Sequence, residues 1–333
     1  MTDLVTVTDR GLCCRPGGFH VDPWRPVDVA VITHAHGDHA RPGSGRYHAA
    51  ESGLGLLRRR LGDDAHLVGH AFGERFRLGE ATVSFHPAGH VLGSAQVRIE
   101  AAGEVWVISG DYKRDADPSC EAFEVVSCDV FITEATFALP VYRWPATEFV
   151  VDELLSWWRD NSRAGRASIV FAYALGKAQR ILTALAPHAG REILVHGAVD
   201  ALLEPYREAG VPLAATRPVG PRTRGERFAG DLVVAPPSAS GSPWMRRFGD
   251  ASTAFASGWM RVRGNRRRRG VDRGFVMSDH ADWPGLLRTI RETGARRILA
   301  THGYSDTLAR YLLDQGLDAA PLGTLYEGET DDA

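Results

Sequence analysis

The sequence predicts an α/β protein, for three reasons. The chain has 333 residues, a length for which two compact units or one large one are expected. Residues 1–140 alternate short runs rich in Val, Ile and Phe with Gly, Asp and Pro clusters, a pattern typical of strands and turns. From Thr147 onward, segments with helical spacing alternate with strand-like runs, which indicates parallel strands joined by crossover helices.

The predicted elements succeed one another in a simple order. The clearest strands of the first part are VDVAVITHAH, ATVSFHPAGH, AQVRIEAAGEVWVISGD and DVFITEATF. A helix is predicted over TEFVVDELLSWWRDNSRAG, with the capping residue Thr147 at its start and Gly165 just beyond its end. Two later stretches each predict strand, helix, strand, helix: ASIVFAY, GKAQRILTAL, REILVHG and VDALLEPYREAG, then GFVMSDH, DWPGLLRTIRETGA, RRILATHG and SDTLARYLLDQG.

The composition excludes several classes of protein. Hydrophobic residues make up 44% and charged residues 24% of the chain, which is ordinary globular usage and excludes a collagen-like or wholly disordered protein. No apolar run approaches the ~20 residues that a membrane span needs. The N-terminus MTDLVTVTDR is polar, so we expect no secretory signal and a cytoplasmic location. The four cysteines form no CxxC motif, and reduced thiols are expected rather than disulfides.

Charge is balanced overall and concentrated locally. The chain has 39 Lys and Arg against 41 Asp and Glu, and this formal net charge of −2 does not by itself indicate a polyanionic partner. The segment RVRGNRRRRGVDR is different, because it contains Arg261, Arg263, Arg266, Arg267, Arg268, Arg269 and Arg273. This density would neutralise several phosphates if the segment faced a nucleic-acid strand. The alternative is a mobile, solvated loop.

The stretch HAHGDH, residues 34–39, is the most informative. At the end of a strand, His34 and His36 point the same way because side chains two residues apart share a face. A turn at Gly37 then adds Asp38 and His39. Imidazole and carboxylate ligands together suit Zn²⁺, and they are numerous enough to fill parts of two adjacent metal sites. Without a cation, three buried histidines beside an aspartate would repel one another and lose solvation.

HxHxDH resembles the signature of the metallo-β-lactamase superfamily, and FHVDPW, HPAGHVLGSAQ and ISGDYK resemble its other motifs. The resemblance implies a lactamase-type αββα sandwich around two divalent metal ions, with zinc expected and manganese as the alternative. It implies His34, His36 and His90 for one ion, Asp38, His39 and His302 for the other, and a bridging Asp111. Asp22 would orient ligands by hydrogen bonding.

ITEATF with Glu134, FAYALGKAQ, SDHADW with His280 and ATHG with His302 resemble motifs of the β-CASP nucleases, which include Artemis, RNase J and the pre-mRNA 3′-end cleavage factor. This implies a metallo-β-lactamase domain at 1–137 and 275–333, interrupted by a β-CASP domain at 138–274 that holds a small parallel sheet flanked by helices. Three longer stretches, ITEATFALPVYRWP, LVHGAVDAL and SGWMRVRGNRRRRGVDRGFVMSDHADWPGLL, are similar to bacterial ligase-associated DNA exonucleases.

That similarity implies a DNA exonuclease that hydrolyses phosphodiester bonds with a metal-activated water and leaves 5′-phosphates. The expected substrate is DNA, single-stranded or with a free end, degraded from 5′ to 3′. The expected setting is end processing or repair with an ATP-dependent DNA ligase and a ligase-associated helicase. Asp38, Glu134 and His280 are the expected catalytic residues, with His280 as the general acid and Glu134 holding its ring. The alternative for Glu134 and His280 is a structural ion pair.

Weaker signals suggest contacts with the nucleic acid. Lys177, before a predicted helix, would bind a backbone phosphate, or it is simply the start of a surface helix. Ser257 and Gly258, followed by Trp259, would hold a terminal phosphate or stack a base, or they belong to a core strand. The arginine run contributes Arg266, Arg267, Arg268 and Arg269 to the same prediction.

The remaining histidines carry no strong functional signal. Surface or hydrogen-bonded positions are expected for His20, His48, His66, His70, His86 and His188. His196 resembles a family motif at a strand end, and it either lines a cleft or supports the structure. Three rival functions stay open: an RNA exo- or endonuclease of the RNase J or 3′-end-processing type, since His302 is usual in RNA-cleaving relatives; an inactive binding scaffold; and a hydrolase of small thioesters or lactams.

Overall fold

The computed structural model describes residues 3–220, 223 and 225–326. These fall into two compact units, one of residues 3–142 and 280–326 and the other of Arg143–Asp279. The boundaries differ by a few residues from the predicted insertion at 138–274. Tyr142 belongs to the first unit because its carbonyl accepts a hydrogen bond from Trp283 N. Asp279 belongs to the second because its carboxylate pairs with Lys177. That the second unit is a β-CASP domain stays a prediction.

Both units are made of short strands and helices. The strands are β1 (Val5–Thr8), β2 (Gly11–Cys14), β3 (Phe19–Val21), β4 (Val29–Val31), β5 (Arg46–Ala50), β6 (Leu67–His70), β7 (Phe76–Leu78), β8 (Ala81–Pro87), β9 (Ala95–Ala101), β10 (Glu104–Ile108), β11 (Val130–Thr133), β12 (Ser168–Phe171), β13 (Ile193–His196), β14 (Thr216–Val219), β15 (Leu232–Ala235), β16 (Ser252–Ala256), β17 (Arg273–Phe275), β18 (Arg297–Ala300) and β19 (Asp318–Pro321). The helices are α1 (Leu54–Leu61), α2 (Thr147–Arg163), α3 (Lys177–Leu185), α4 (Gly197–Asp200), α5 (Leu203–Glu208), α6 (Arg263–Arg269), α7 (Trp283–Thr293) and α8 (Ser305–Asp314).

The first unit contains two facing sheets. One has the order β1-β2-β3-β4-β5-β6 and the other β19-β18-β11-β10-β9-β8-β7. Alternation along β10 explains how the second sheet packs on both faces. Trp106 and Ile108 point into the core shared with the first sheet, whereas Val107 packs on the opposite face beside Leu286 of α7 and Leu308 of α8. The second sheet is therefore covered by the first sheet on one side and by helices on the other.

The second unit is built around one parallel sheet of order β14-β13-β15-β12-β16-β17. Its inner strands β13, β15 and β12 are almost continuously apolar and buried, as expected when both faces are covered. Leu154 and Trp158 of α2 and Ile181 of α3 are buried in the core of this unit. The mixed α/β class predicted from the sequence is confirmed.

Local details bear on several expectations from the sequence. Helix α2 begins at Thr147, but its N-cap is Ala146, so Thr147 is a helical residue and not the cap. The arginine run forms the short helix α6 and not a loop. The four cysteines form no disulfide in the described residues, as expected. No helix in the described part of the chain combines the length and apolar character that crossing a bilayer requires.

Candidate metal centre

The carboxyl ends of neighbouring parallel strands bring the predicted site residues of the second sheet together. Strands β10, β11 and β18 lie side by side and run parallel. Asp111, Glu134 and His302 each come after one of them in the chain. Open parallel sheets characteristically place their functional side chains at this edge. The fold thus gathers residues that are far apart in the sequence.

The first sheet contributes Asp22 and the HAHGDH loop in the same manner. Asp22 comes directly after β3, and the loop comes after the parallel neighbour β4. The Asp22 carboxylate accepts hydrogen bonds from Thr33 N at 2.7 Å and Thr33 Oγ1 at 2.5 Å, and it lies 2.8 Å from His39 Nδ1. Asp22 has φ = 43° and His302 has φ = 22°. Such left-handed backbone at non-glycine residues is costly and concentrates at functional sites.

Two histidines of this loop converge with two side chains from other segments, His90 and Asp111. His34 Nε2 lies 3.1 Å from His36 Nδ1, which lies 3.0 Å from His90 Nε2. Asp111 Oδ2 lies 3.5 Å from His34 Nε2 and 3.7 Å from His90 Nε2. Ligands ~2.1 Å from a tetrahedral Zn²⁺ stand about 3.4 Å apart. The donor set and its spacing therefore fit a zinc ion.

A second group of donors shares Asp111 with the first. His39 Nε2 lies 3.6 Å from Asp38 Oδ2 and 3.7 Å from Asp111 Oδ2. The other carboxylate oxygen, Asp111 Oδ1, lies 3.1 Å from His302 Nε2. Among the described residues His39 Nε2 is buried without a hydrogen-bond partner, although Asp22 binds the opposite ring nitrogen. A buried Nε2 without a hydrogen-bond partner, on a ring whose Nδ1 is bound by a carboxylate, is typical of a histidine that binds a metal.

The electrostatics of the cluster also suit a cation. Burial lowers the pKa of His34 well below its usual range, and nearby His39 lowers it further, so the ring is neutral and its lone pair is available. Burial acts in the same direction on His39, but the carboxylates of Asp38, Asp111 and Asp22 outweigh it and raise its pKa to about 10. Burial opposes ionisation of Asp111 as well, yet the charge on His39 and the hydrogen bond from His302 hold its pKa well below the usual range. The carboxylates thus require positive charge here, from a proton or a metal.

Glu134 and His280 form a buried pair beside this cluster. His280 Nδ1 lies 2.9 Å from Glu134 Oε2, while Glu134 Oε1 accepts a hydrogen bond from Tyr112 N at 2.7 Å. The His280 ring centroid lies 4.7 Å from that of His90. Both oxygens of Glu134 are therefore engaged in holding neighbours, which suits a residue that positions His280 more than one that binds an ion.

Tyr326 belongs to the site but was not predicted. Its ring stacks on His39 with centroids 4.7 Å apart and planes at 11°, and it meets the edge of His302 at 5.9 Å. Its hydroxyl donates to the Val21 carbonyl at 3.3 Å. The sequence gives no local signal for this role, because TLYEGE carries no motif and the contact joins opposite ends of the chain.

The residues predicted to contact nucleic acid lie in the second unit and are not gathered into one exposed group. Lys177 is 1% exposed, and its Nζ lies 3.0 Å from the equally buried Asp279 Oδ1. Ser257 and Gly258 are buried, and Ser257 Oγ caps a short 3₁₀ helix by accepting from Trp259 N. Arg267 and Arg268 are exposed on α6. Arg269 stacks over Phe255 at 4.3 Å, and the Arg266 side chain lies outside the described residues. The surface helix start expected as the alternative for Lys177 is wrong, because the lysine is enclosed.

Comparisons with known proteins point to nucleases. No family model matches the chain. A protein named "Probable DNA ligase" from Opitutus terrae is 29% identical over 318 residues, covering 94% of this chain and 30% of that protein. "Ribonuclease TTHA0252" from Thermus thermophilus is 30% identical over 203 residues, covering 53% of this chain and 46% of that protein. The chain thus spans less than half the length of either relative.

Further relatives, several of them named endoribonucleases, align with 29–32% of the chain. By name, these relatives are a probable DNA ligase, a ribonuclease, an RNase J-like protein and endoribonucleases. A solved structure from Enterococcus faecalis, described as a protein of unknown function, is similar to this chain with a TM-score of 0.60 and 14% sequence identity. The superposition covers 90% of this chain and 80% of that protein. At that identity the likeness concerns the fold alone.

Proposed function

We propose that this protein is a dinuclear metal-dependent DNA exonuclease of the metallo-β-lactamase/β-CASP type, which leaves 5′-phosphates. One observation carries the proposal: the Asp111 carboxylate lies between two groups of histidines, with Oδ2 within 3.7 Å of His34, His90 and His39 and Oδ1 3.1 Å from His302. A carboxylate placed in this way can be shared between two ions.

The residues present would hold the ions as the resemblance implies. One ion would take His34, His36 and His90, the second would take Asp38, His39 and His302, and Asp111 would be common to both. When bound, two divalent ions would supply a nucleophilic water at neutral pH and neutralise charge on the phosphate. Asp22 fixes the tautomer of His39, because a carboxylate at Nδ1 leaves the lone pair on Nε2.

His280 and Glu134 would handle the proton for the leaving oxygen. Glu134 Oε2 accepts the Nδ1–H of His280, so the ring presents Nε2 as the nitrogen that donates. Such a general acid contributes roughly 10²- to 10⁴-fold to the rate. Departure of a 3′-oxygen leaves a 5′-phosphate, an end that a ligase can join.

The preference for DNA rests on the relative named as a probable DNA ligase, which aligns with 94% of this chain. That protein also supports a functional link to a DNA ligase, whereas the ATP dependence of the ligase and the helicase rest on the resemblance stated above. RNA cleavage is the second candidate, since the relatives named ribonucleases support it directly.

The deciding experiment compares one sequence as DNA and as RNA, labelled at either the 5′ or the 3′ end, single- and double-stranded, with Zn²⁺ or Mn²⁺. We expect stepwise shortening of DNA from its 5′ end and mononucleotides with 5′-phosphates. Asp111→Asn should be inactive, while the exposed Asp64→Asn, a matched control, should retain full activity. Faster loss of RNA than of DNA would replace the DNA assignment with the RNA alternative. No cleavage of either strand by the metal-loaded protein would refute a nuclease.

A further inference from the structure

Three polar or aromatic side chains of the second unit converge at the carboxyl ends of β13 and β14. His196 ends β13 and is paired in register with Val219, which ends β14. Trp244 and Arg247 lie on a 3₁₀ helix, Pro243–Phe248. Trp244 Nε1 donates to the Val219 carbonyl at 3.2 Å, and Arg247 donates to the next carbonyl, Gly220, at 2.6 Å. The backbone of one strand end thus fixes both side chains.

The aromatic rings at this position are held in place and partly open to solvent. The His196 and Trp244 centroids lie 4.8 Å apart with an interplanar angle of 71°, and the Phe248 centroid lies 4.7 Å from that of Trp244 with an interplanar angle of 62°. His196 and Trp244 are partly exposed, whereas Phe248 is buried. Because a rigid aromatic ring loses little conformational freedom on binding, such a pair suits stacking with a planar ligand.

The His196 ring also presents a hydrogen-bond donor. Its Nδ1 accepts a hydrogen bond from Ala198 N at 3.1 Å. This interaction assigns the proton of the neutral ring to Nε2. Nε2 can therefore donate to a base carbonyl or a phosphate oxygen.

Positive charge lies next to these rings. Arg246 and Arg247 are exposed on the same 3₁₀ helix as Trp244. Aromatic faces interleaved with cations are the arrangement by which proteins bind single-stranded nucleic acid, with bases stacked on rings and phosphates beside arginines.

We propose that His196, Trp244, Arg246 and Arg247 form a platform that stacks a base of a single-stranded nucleic acid and contacts its adjacent phosphates. The choice of nucleic acid rests on the proposed nuclease function, but binding at the platform requires neither metal nor catalysis. Stacking does not depend on base identity, so the platform would accept any sequence.

The test measures binding of fluorescein-labelled dT15 to the full chain in EDTA, with an abasic strand of the same length as the second probe. Trp244→Leu should weaken dT15 binding about tenfold, because a stacked base contributes ~1–3 kcal/mol. The same variant should bind the abasic strand like the wild type. Trp244→Phe keeps a ring and should retain most of the affinity. His196→Asn keeps a good N-cap for α4 and should also weaken dT15 binding selectively.

Arg246→Gln tests the phosphate contact. For this variant, the slope of log Kd against the logarithm of the salt concentration should be smaller by about 0.7, the value for one phosphate contact on a single strand. An unchanged dT15 affinity in Trp244→Leu, or an equal loss on both probes, would overturn the platform. Nuclease activity with metal is measured separately. If the protein cleaves nucleic acid but Trp244→Leu shows no selective loss of dT15 binding, only the platform is refuted. If the selective loss is seen but the protein cleaves nothing, only the proposed hydrolysis is refuted.

Discussion

His280 Nδ1 lies 2.9 Å from Glu134 Oε2, and both side chains are almost completely buried. The chain between them passes through the entire second unit, since Glu134 precedes that unit and His280 comes after it. A structural ion pair and a proton-donating pair would share this geometry. They differ in the effect that removing one partner has on turnover.

His280→Ala should lose at least ~100-fold in turnover while retaining its metal, because His280 would move a proton without holding an ion. Glu134→Gln should lose less, since the amide oxygen can still accept the Nδ1–H of His280 although the negative charge is gone. Both predictions are checked by measuring the turnover of each variant over a range of pH and its metal content by mass spectrometry. Near-normal turnover of a folded His280→Ala protein would leave only the structural role.

Asp111→Asn should bind neither ion tightly, because Asp111 faces both groups of histidines. His39→Gln should instead lose one ion, since His39 lies in only one of the two sets. Zinc titration followed by calorimetry gives the stoichiometries, with Asp64→Asn as the control. Two ions bound tightly by Asp111→Asn would contradict the shared carboxylate.

Tyr326→Ala should weaken zinc binding at the His39 side by about 10- to 100-fold, the range for loss of a group that orients a ligand. Tyr326→Phe should resemble the wild type, since the ring that stacks on His39 remains and the hydroxyl bond is long at 3.3 Å. Competition with a chromogenic chelator measures the affinity. Equal affinities for Tyr326→Ala and Tyr326→Phe would remove the positioning role.

Lys177→Met should destabilise the second unit by about 3–5 kcal/mol, because it leaves the buried Asp279 carboxylate without its cation. The double variant with Asp279→Asn should recover much of that loss. Urea unfolding monitored by tryptophan fluorescence compares the three proteins. If Lys177→Met were as stable as the wild type but bound DNA poorly, a phosphate contact at Lys177 would replace the structural role.

Acidification should destabilise the first unit through His48. Burial lowers the pKa of His48 to about 4, and nearby His70 and Arg46 add to the effect. Between about pH 6.5 and pH 4, His48 binds a proton in the unfolded chain but stays neutral in the folded protein. The free energy of unfolding therefore falls as the pH decreases from about 6.5 toward 4. His48→Gln should show a smaller decline in urea midpoint between pH 7 and 4. An identical decline would place the acid sensitivity elsewhere.

The sequence could indicate a candidate metal cluster because the signal is local. His34, His36, Asp38 and His39 lie in one loop, and their spacing alone predicts a metal site. Contacts between distant segments could not be predicted. The sequence around Lys177 does not indicate its ion pair with Asp279, and the sequence around Tyr326 does not indicate that its ring stacks on His39. Ala146 caps α2 with backbone alone, so the side-chain preference that favoured Thr147 had no bearing.

The placement of His302 after the second unit has a consequence for synthesis. A ribosome releases the HAHGDH loop early, but Asp111 Oδ1 meets His302 only when β18 has joined β11. Tyr326 reaches His39 later still. Residues as far along the chain as Tyr326 must therefore emerge before the cluster is complete, so a product terminated before His302 would lack part of the donor set.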